Sequence, residues 1–204
     1  MFKLFQKSGY TMRSDEELMV LIKDRDEKAF DVLYDRYSRR VYYFLLRLNG
    51  NDTEAANDLL QETFLRVFEK SNLYNPEKKC ATWIFTIAAN LQKNAHRSAT
   101  RASAVVVPMP ELKNTTQVMQ QPDFIDQKLF RLRLDKALNE LDDIHRMVFM
   151  LRFTEELTVP EIAVILDIPE GTVKSRIHHT VRRLSERLHD FSPHFNPHVH
   201  HEQG

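Results

Sequence analysis

The chain has 204 residues, enough for one medium-sized or two small domains, and 42% of them are hydrophobic and 28% charged, as is ordinary for a soluble protein. The formal net charge is +0, which argues against a protein that coats nucleic acid without selectivity. Cys80 is the single cysteine, so an internal disulfide and a zinc site built from thiols are excluded, and a reducing cytoplasm is expected.

The N-terminal segment MFKLFQKSGYTMR is basic but has neither the apolar core nor the cleavage site of a signal peptide. No stretch of the sequence approaches the ~20 apolar residues that a membrane-spanning helix needs. We therefore expect a cytoplasmic protein without membrane insertion.

Helical patterns follow one another through the first half of the chain. Ser14 and Glu17 have the spacing of a capping box, which predicts a short first helix. Apolar residues at three- and four-residue spacing predict a second helix over 30–48, and Thr53 is expected to cap a third. A fourth helix is predicted over 81–96, and no β-alternation appears in this half.

The composition changes after Arg97. Prolines among Thr, Asn and Gln, with little periodicity, make a segment that is too long for a connection inside one compact domain. Helical patterns resume at Gln127. The predicted organisation is an N-terminal tail at 1–13, a helical domain at 14–97, a linker at 98–126, a second helical domain at 127–189 and a His-rich tail at 190–204.

Residues 158–188 read TVPEIAVILDIPEGTVKSRIHHTVRRLSERL, which is two helical patterns separated by a turn. Thr158 and Glu161 have the spacing of a second capping box. Pro169 stops the first pattern, and apolar residues from Val173 onward form one stripe on the next helix. This layout is that of a helix-turn-helix. The predicted fold class is therefore all-α: two small helical domains joined by a flexible linker, the C-terminal one containing a helix-turn-helix.

The second helix of this motif carries most of the positive charge of the stretch. A solvated helical hairpin is one interpretation, because basic faces are common on protein surfaces. The coincidence of turn, apolar stripe and basic face favours DNA binding. The outward-facing residues are Thr172, Lys174, Ser175, Arg176, His178, His179, Arg182 and Arg183.

A row of acidic and amide residues lies away from the apolar face of the third predicted helix. Its members are Asp58, Gln61, Glu62 and Glu69. Such a row could pair with a basic or amide-rich helix of a partner protein. Taken alone, the pattern favours the simpler interpretation of a solvated helix face.

The fourth predicted helix and the loop before it combine amides, cations and a ring. Amides can hydrogen-bond to base edges, cations can neutralise phosphates, and a ring can stack on an unpaired base. Trp83 is predicted to lie in the core, because it shares a face with Ile87. The outward set is Thr82, Thr86, Asn90, Lys93, Asn94 and Arg97 on the helix, and Tyr74, Asn75, Lys78 and Lys79 in the loop.

Four motifs follow one another in the chain. The first half holds DLLQETFLRVF at 58–68 and ATWIFTIAAN at 81–90; the second holds LDDIHRMVFMLR at 141–152 and IPEGTVKSR at 168–176. Their order and spacing resemble the extracytoplasmic-function (ECF) type of bacterial sigma factor, of the sigma-70 family, over about 15–188. The resemblance implies a non-enzymatic protein that binds core RNA polymerase, directs it to promoter DNA and helps to open it.

The resemblance also implies a role for each surface. Asp58, Gln61 and Glu62 match positions that contact the clamp coiled coil of the largest polymerase subunit. Capture of the separated non-template strand of the −10 element is implied for Tyr74, Asn75, Lys79, Thr86, Asn90, Lys93, Asn94 and Arg97. Recognition of the −35 element in the major groove is implied for Thr172, Lys174, Ser175, Arg176, His179, Arg182 and Arg183. An anti-sigma factor is a further expected partner.

Two other classes of function fit the sequence less well. A helix-turn-helix regulator acting without stable polymerase association would carry a ligand pocket or a phosphoacceptor, and the first half shows neither pattern. An enzyme is disfavoured because no Gly-rich phosphate loop, nucleophile elbow or metal-ligand spacing is present. The histidines of 189–201 fit no zinc template, so no metal site and no cofactor are predicted.

Overall fold

The computed structural model describes residues 9–102 and 122–189. Within these residues every regular element is helical, which confirms the all-α prediction. The His-rich tail predicted at 190–204, most of the N-terminal tail and the centre of the predicted linker lie outside the described residues.

The first half contains four longer helices: α1 is Asp15–Lys23, α2 is Glu27–Leu48, α3 is Thr53–Glu69 and α4 is Cys80–Ala102. A short 3-10 helix spans Ser71–Leu73. The Ser14 hydroxyl accepts from the amide of Glu17 at 3.1 Å, and the Glu17 carboxylate accepts from the amide of Ser14 at 2.8 Å, which confirms the first capping box. Asp52, rather than the predicted Thr53, caps α3, because its carboxylate accepts two backbone amides.

The apolar faces of these four helices meet in one core. Leu18, Leu33 and Ile84 are fully buried. The rings of Phe44 and Phe85 join α2 to α4 edge to face, with their centroids 5.4 Å apart. The core holds α3 and α4 so that their polar faces point outward.

The second half contains α5 at Pro122–Asn139, α6 at Asp143–Phe149, a wider helical turn at Met150–Thr154, α7 at Val159–Leu166 and α8 at Glu170–Arg187. Asp142 caps α6 by accepting from the amide of His145 at 3.1 Å. The Glu161 carboxylate accepts from the amide of Thr158 at 2.7 Å, and the Thr158 hydroxyl accepts from the amide of Glu161 at 3.5 Å. The second capping box is therefore also confirmed.

A tight turn separates α7 from α8, as the sequence predicted. Asp167 has a φ of 56°, in the left-handed region, and the amide of Ile168 donates to the Ala163 carbonyl at 3.1 Å. Pro169 directly precedes α8. Val173, in the first turn of α8, is fully buried. This turn therefore packs on the hydrophobic core, and its polar side faces solvent.

Helical structure extends into both ends of the predicted linker. Helix α4 continues to Ala102 and α5 begins at Pro122, whereas the apolar periodicity had ended near His96 and resumed near Gln127. Polar helix ends carry little apolar periodicity, so sequence patterns place them poorly. Residues 103–121 lie outside the described residues, and the domain boundaries remain a prediction.

The two halves of the chain contact each other. Helix α4 of the first half packs against α7 of the second, and α2 meets α6. This arrangement brings the helix-turn-helix next to the polar face of α4.

Candidate interfaces for nucleic acid and polymerase

The outward row of α3 presents two carboxylates and one amide. Asp58 and Gln61 are exposed, and the half-buried Glu62 accepts from the guanidinium of Arg66 at 2.7 Å. Leu65 lies one turn further on the same face and is 51% exposed, although the sequence pattern did not single it out.

Tyr74 lies in the core rather than on the surface of its loop. It is 2% exposed, its ring centroid is 5.3 Å from that of the half-buried Trp83, and its hydroxyl donates to the Lys78 carbonyl. Burial raises the pKa of this hydroxyl above its usual value. A base cannot stack on the ring in this conformation. Asn75 is exposed, and its side-chain oxygen accepts from the amide of Glu77 at 3.0 Å.

The end of α4 carries polar side chains on its solvent side. Asn90, Asn94 and Arg97 are exposed, so two amides and one guanidinium face outward. Thr86 is half-buried, and its hydroxyl donates to the Thr82 carbonyl one turn earlier at 2.7 Å. The exposed trio has the chemistry to contact base edges and phosphates.

Lys79, just before α4, contacts the second half of the chain. Its Nζ lies 2.7 Å from the Glu161 carboxylate, whose other oxygen closes the capping box with Thr158. The hydrogen bond to Glu161 raises the pKa of Lys79. Burial alone would raise the pKa of Glu161, but the hydrogen bonds from Lys79 and Thr158 outweigh burial and lower it.

Lys93 contacts the same helix at its other end. Its Nζ donates to the carbonyl of Leu166, the last residue of α7, at 2.9 Å. Burial lowers the pKa of Lys93, the nearby Asp167 carboxylate opposes that effect, and the Arg176 guanidinium adds to it. Both lysines that were predicted to bind the −10 strand thus contact α7, but the Lys79 side chain is 70% exposed, whereas Lys93 is half-buried.

The predicted −35 residues of α8 remain largely in solvent. The exposed members are Lys174, Ser175, His179, Arg182 and Arg183. Thr172 and Arg176 are half-buried, and one guanidinium nitrogen of Arg176 is buried without a hydrogen-bond partner among the described residues. Arg183 lies 4.0 Å from the Asp142 carboxylate, a separation at which an exposed pair is weak.

Arg146 is a buried cation that the sequence pattern did not reveal. Its side chain is 8% exposed, and burial lowers its pKa. The guanidinium donates to three carbonyls at the end of α5 at 2.8–2.9 Å, and to the carbonyls of Arg47 and Leu48 at 3.3 Å. It therefore joins the end of α5 to the end of α2.

Arg40 and Glu155 form a second charged link between the halves. Both the Nε and a terminal nitrogen of Arg40 lie 2.8 Å from one Glu155 oxygen, and the Glu155 side chain is only 2% exposed. Burial raises the pKa of Glu155, while Arg40 opposes that rise. Because the two residues are 115 positions apart, no local spacing could have indicated the pair.

These features define a helical protein with a helix-turn-helix that presents a basic face. Residues 33–102 match the family model described as Sigma-70 region 2, and residues 131–184 match that described as Sigma-70, region 4. Both matches fall on the segments that carry the resemblance noted from the sequence.

Two relatives show the family. The ECF RNA polymerase sigma factor SigW of Bacillus subtilis is 31% identical over 176 residues, covering 83% of this chain and 94% of the relative. SigL of Mycobacterium tuberculosis, also an ECF RNA polymerase sigma factor, is 35% identical over 153 residues, covering 74% of this chain and 84% of the relative. The chain belongs to the ECF RNA polymerase sigma factors. It binds core RNA polymerase and directs transcription initiation at promoter DNA, and it does so as a non-enzymatic factor.

Two solved structures share the fold. CnrH in complex with the cytosolic domain of CnrY superposes with a TM-score of 0.64 at 21% identity, over 87% of this chain and 99% of that one. RpoE in complex with the anti-sigma factor NepR from Bartonella quintana superposes with a TM-score of 0.66 at 23% identity, over 79% of this chain and 98% of that one.

Among the helices of residues 9–102 and 122–189, none combines the length and the apolar character that a membrane span needs.

Proposed function

We propose that three separate surfaces of this sigma factor divide the work of initiation. The outward row of α3 binds the polymerase, the solvent side of α4 binds the −10 strand, and α8 reads the −35 duplex. The observation that carries the proposal is the exposed basic face of α8, the second helix of the helix-turn-helix. Beside this motif lies α4, whose solvent side carries the amides of Asn90 and Asn94. One element thus suits duplex DNA and the other suits unpaired bases.

For the polymerase, Asp58, Gln61 and Glu62 are the proposed contacts, and we add Leu65. The two carboxylates supply charge complementarity to a basic helix, which sets orientation and the rate of association. The exposed Leu65 supplies apolar area, which a charged row alone would lack.

For the −10 element, Asn90, Asn94 and Arg97 are the proposed direct contacts. Their exposure suits base edges and phosphates on a separated strand. Tyr74 is proposed to shape the loop rather than to stack on a base, since its ring is buried. Lys79 and Lys93 are proposed to join the contact set once α7 leaves them.

For the −35 element, the first turns of α8 are proposed to enter the major groove. Lys174, Ser175 and Arg176 then stand at base edges, whereas Arg182 and Arg183 stand at phosphates further along the helix. Thr172 and His179 complete the set.

An inhibitory protein partner is part of the proposal. RpoE of Bartonella quintana is bound to an anti-sigma factor in a structure with the same fold, and CnrH is bound to the cytosolic domain of CnrY. We expect this chain to be held by a protein of the anti-sigma class and to work in the cytoplasm, where it meets the polymerase.

Reconstituted transcription tests the proposed function. Purified chain and core polymerase should together produce transcripts from a subset of a promoter library, and neither should do so alone. Stable, sequence-specific DNA binding by the pure chain, with no transcript when polymerase is added, would instead identify a helix-turn-helix regulator.

A further inference from the structure

The loop between α3 and α4 presents one large apolar side chain to solvent. Leu73 is 70% exposed, and among the large hydrophobic residues that the structure describes only Met12 is more exposed. Single apolar side chains are ordinary on protein surfaces, so exposure alone assigns Leu73 no role. The support of the loop, its charge and its place beside α4 together distinguish this leucine.

The backbone around Leu73 is firmly anchored. Ser71, at the start of the 3-10 helix, and Tyr74, directly after it, are both 2% exposed. The Ser71 hydroxyl donates to the Phe68 carbonyl at 2.9 Å. The amide of Leu73 itself donates to the Lys70 carbonyl at 2.9 Å. Because the residues on both sides are held in the core, the leucine projects from a well-supported position.

Positive charge predominates around the exposed leucine. Lys70 and Lys78 are exposed in the same loop, and Glu77 is the single acidic residue of positions 70–79. From the end of α1, the Nζ of Lys23 lies 6.0 Å from the centroid of the Tyr74 ring. These surroundings favour a nucleic acid over a basic protein helix of the kind proposed to bind α3.

The loop packs on the end of α4 that leads to the proposed −10 contacts. The centroid of the Tyr74 ring lies 5.3 Å from that of Trp83, in the first turn of α4. Trp83, Asn90 and Asn94 follow one another at intervals that place them on one side of the helix. Since Trp83 precedes Asn90 by about two turns, Leu73 stands at one end of the surface proposed to bind the −10 strand.

An apolar side chain at the end of a single-strand site can act as a wedge. Opening of DNA removes the stacking between the bases at the border of the unpaired and paired segments. Leucine is among the side chains that proteins insert at such unstacked steps, where it fills the space that the neighbouring base has left. It has neither a π-face nor a hydrogen-bonding group, so it suits the separation of two bases better than the recognition of one.

We propose that Leu73 is a wedge that holds the bases apart at the border of the melted −10 segment. It inserts between the two bases at this border, while the lysines of its loop neutralise the phosphates on either side. The inference rests on the proposed function, since it uses the assignment of the solvent side of α4 to the −10 strand. Leu73 thus contributes to the opening of the promoter and not to the choice of its sequence.

Three substitutions test the wedge. Leu73→Ala removes most of an exposed side chain, so thermal unfolding should be nearly unchanged. Leu73→Met keeps an apolar side chain of similar volume and should preserve the wedge. Val20→Ala also shortens an exposed apolar side chain, at a position of α1 outside all three proposed interfaces, and is the control.

The measurement is the lifetime of the open complex that holoenzyme forms at the most active promoter of the library, after a heparin challenge that prevents rebinding. A fluorescent adenine analogue at the edge of the −10 element brightens when it unstacks and so reports the open state. Leu73→Ala should shorten the lifetime about tenfold through the lost apolar contact. Leu73→Met and Val20→Ala should stay within about twofold of the wild type.

A second template separates the wedge from other roles of this residue. It carries the same promoter with the −10 segment mismatched, so that the bases are already apart and no wedge is needed. On this template Leu73→Ala should match the wild type within about twofold. The proposal would be overturned by an equal deficit on both templates, by no deficit on either, or by a Leu73→Met variant as defective as Leu73→Ala.

An equal deficit on both templates would identify Leu73 as a contact to the unpaired strand or to the polymerase. Co-purification with core polymerase distinguishes these cases, because only the loss of a polymerase contact lowers it.

The wild type distinguishes failure of this inference from failure of the proposed function. If wild-type holoenzyme opens the promoter and Leu73→Ala behaves in the same way, the inference alone is overturned. A wild-type chain that opens neither template with core polymerase overturns the proposed function, and the inference with it.

Discussion

The polar face of α4 and that of α8 carry similar residues but differ in what surrounds them. On α8 the cations Lys174, Arg182 and Arg183 are exposed, whereas Lys93 of α4 is half-buried and donates to the last carbonyl of α7. The comparison teaches that a basic pattern describes what a helix can bind. Whether it is free to bind depends on the packing of the rest of the chain.

The largest expected effect comes from removing Arg146, the buried cation between the halves. Arg146→Ala removes a donor from five carbonyls, of which only that of Leu138 is known to keep another, the amide of Leu141. The loss of a buried charged donor costs about 3 kcal/mol of unfolding free energy. Denaturant unfolding measures this. Arg182→Ala, at an exposed position of α8, should change stability by no more than about 0.5 kcal/mol. Similar values for the two variants would contradict the structural role of Arg146.

The −35 surface should show a division of labour between Arg176 and Arg183. In holoenzyme, Arg176→Ala should lower initiation at the best promoter. It should also reduce the ratio of initiation at that promoter to initiation at promoters mutated in the −35 element, since a good bidentate base contact is worth ~1–3 kcal/mol of discrimination. Arg183→Ala should weaken all promoters alike and reduce the salt slope by about one.

Run-off transcription from matched promoters at several salt concentrations separates these outcomes. A uniform loss in both variants would show that the division of labour is wrong. No change of promoter choice in either variant would indicate that both arginines only solvate α8.

None of the contacts between the halves described above involves the row on α3, so the effect of a substitution in this row should be independent of them. Asp58→Lys should weaken core-polymerase binding about tenfold through lost complementarity, with thermal unfolding nearly unchanged because the residue is exposed. Asp31→Lys, an exposed charge reversal on α2, is the control. Undiminished polymerase affinity in Asp58→Lys would remove this row from the interface.

The smallest expected effect is a change in pH dependence at the contact itself. Burial raises the pKa of Glu155, although Arg40 opposes the rise. The Glu155 carboxyl therefore binds its proton more tightly in the folded chain than in the unfolded chain. Its contribution to the free energy of unfolding falls as the pH rises from the usual pKa of the carboxyl through its pKa in the folded chain.

Glu155→Gln removes this titration. As pH rises above about 4.5, the usual pKa of the carboxyl, the unfolding free energy of this variant should therefore decline less than that of the wild type. Denaturant unfolding at several pH values measures the two slopes. A slope identical to that of the wild type would mean that Glu155 does not titrate differently on folding.

The sequence by itself determined the local structure and the class of function. Both capping boxes, the Asp142 cap and the turn at Pro169 follow from residues three to five positions apart, whose interactions form within one helix or turn. The apolar stripes predicted most of the core residues, because residues three and four positions apart share one face of a helix. The motif order was enough to indicate the family.

Only the tertiary structure decided which of the predicted site residues face solvent. Tyr74 turns into the core because Trp83 and the rest of the bundle cover its ring, and a ring in a short loop has no periodicity that would indicate its side. The contacts of Lys93 with Leu166 and of Arg40 with Glu155 join residues 73 and 115 positions apart. Such pairs form only when separate helices pack, so no local pattern contains them, and the fold alone decides that Lys93 donates to α7.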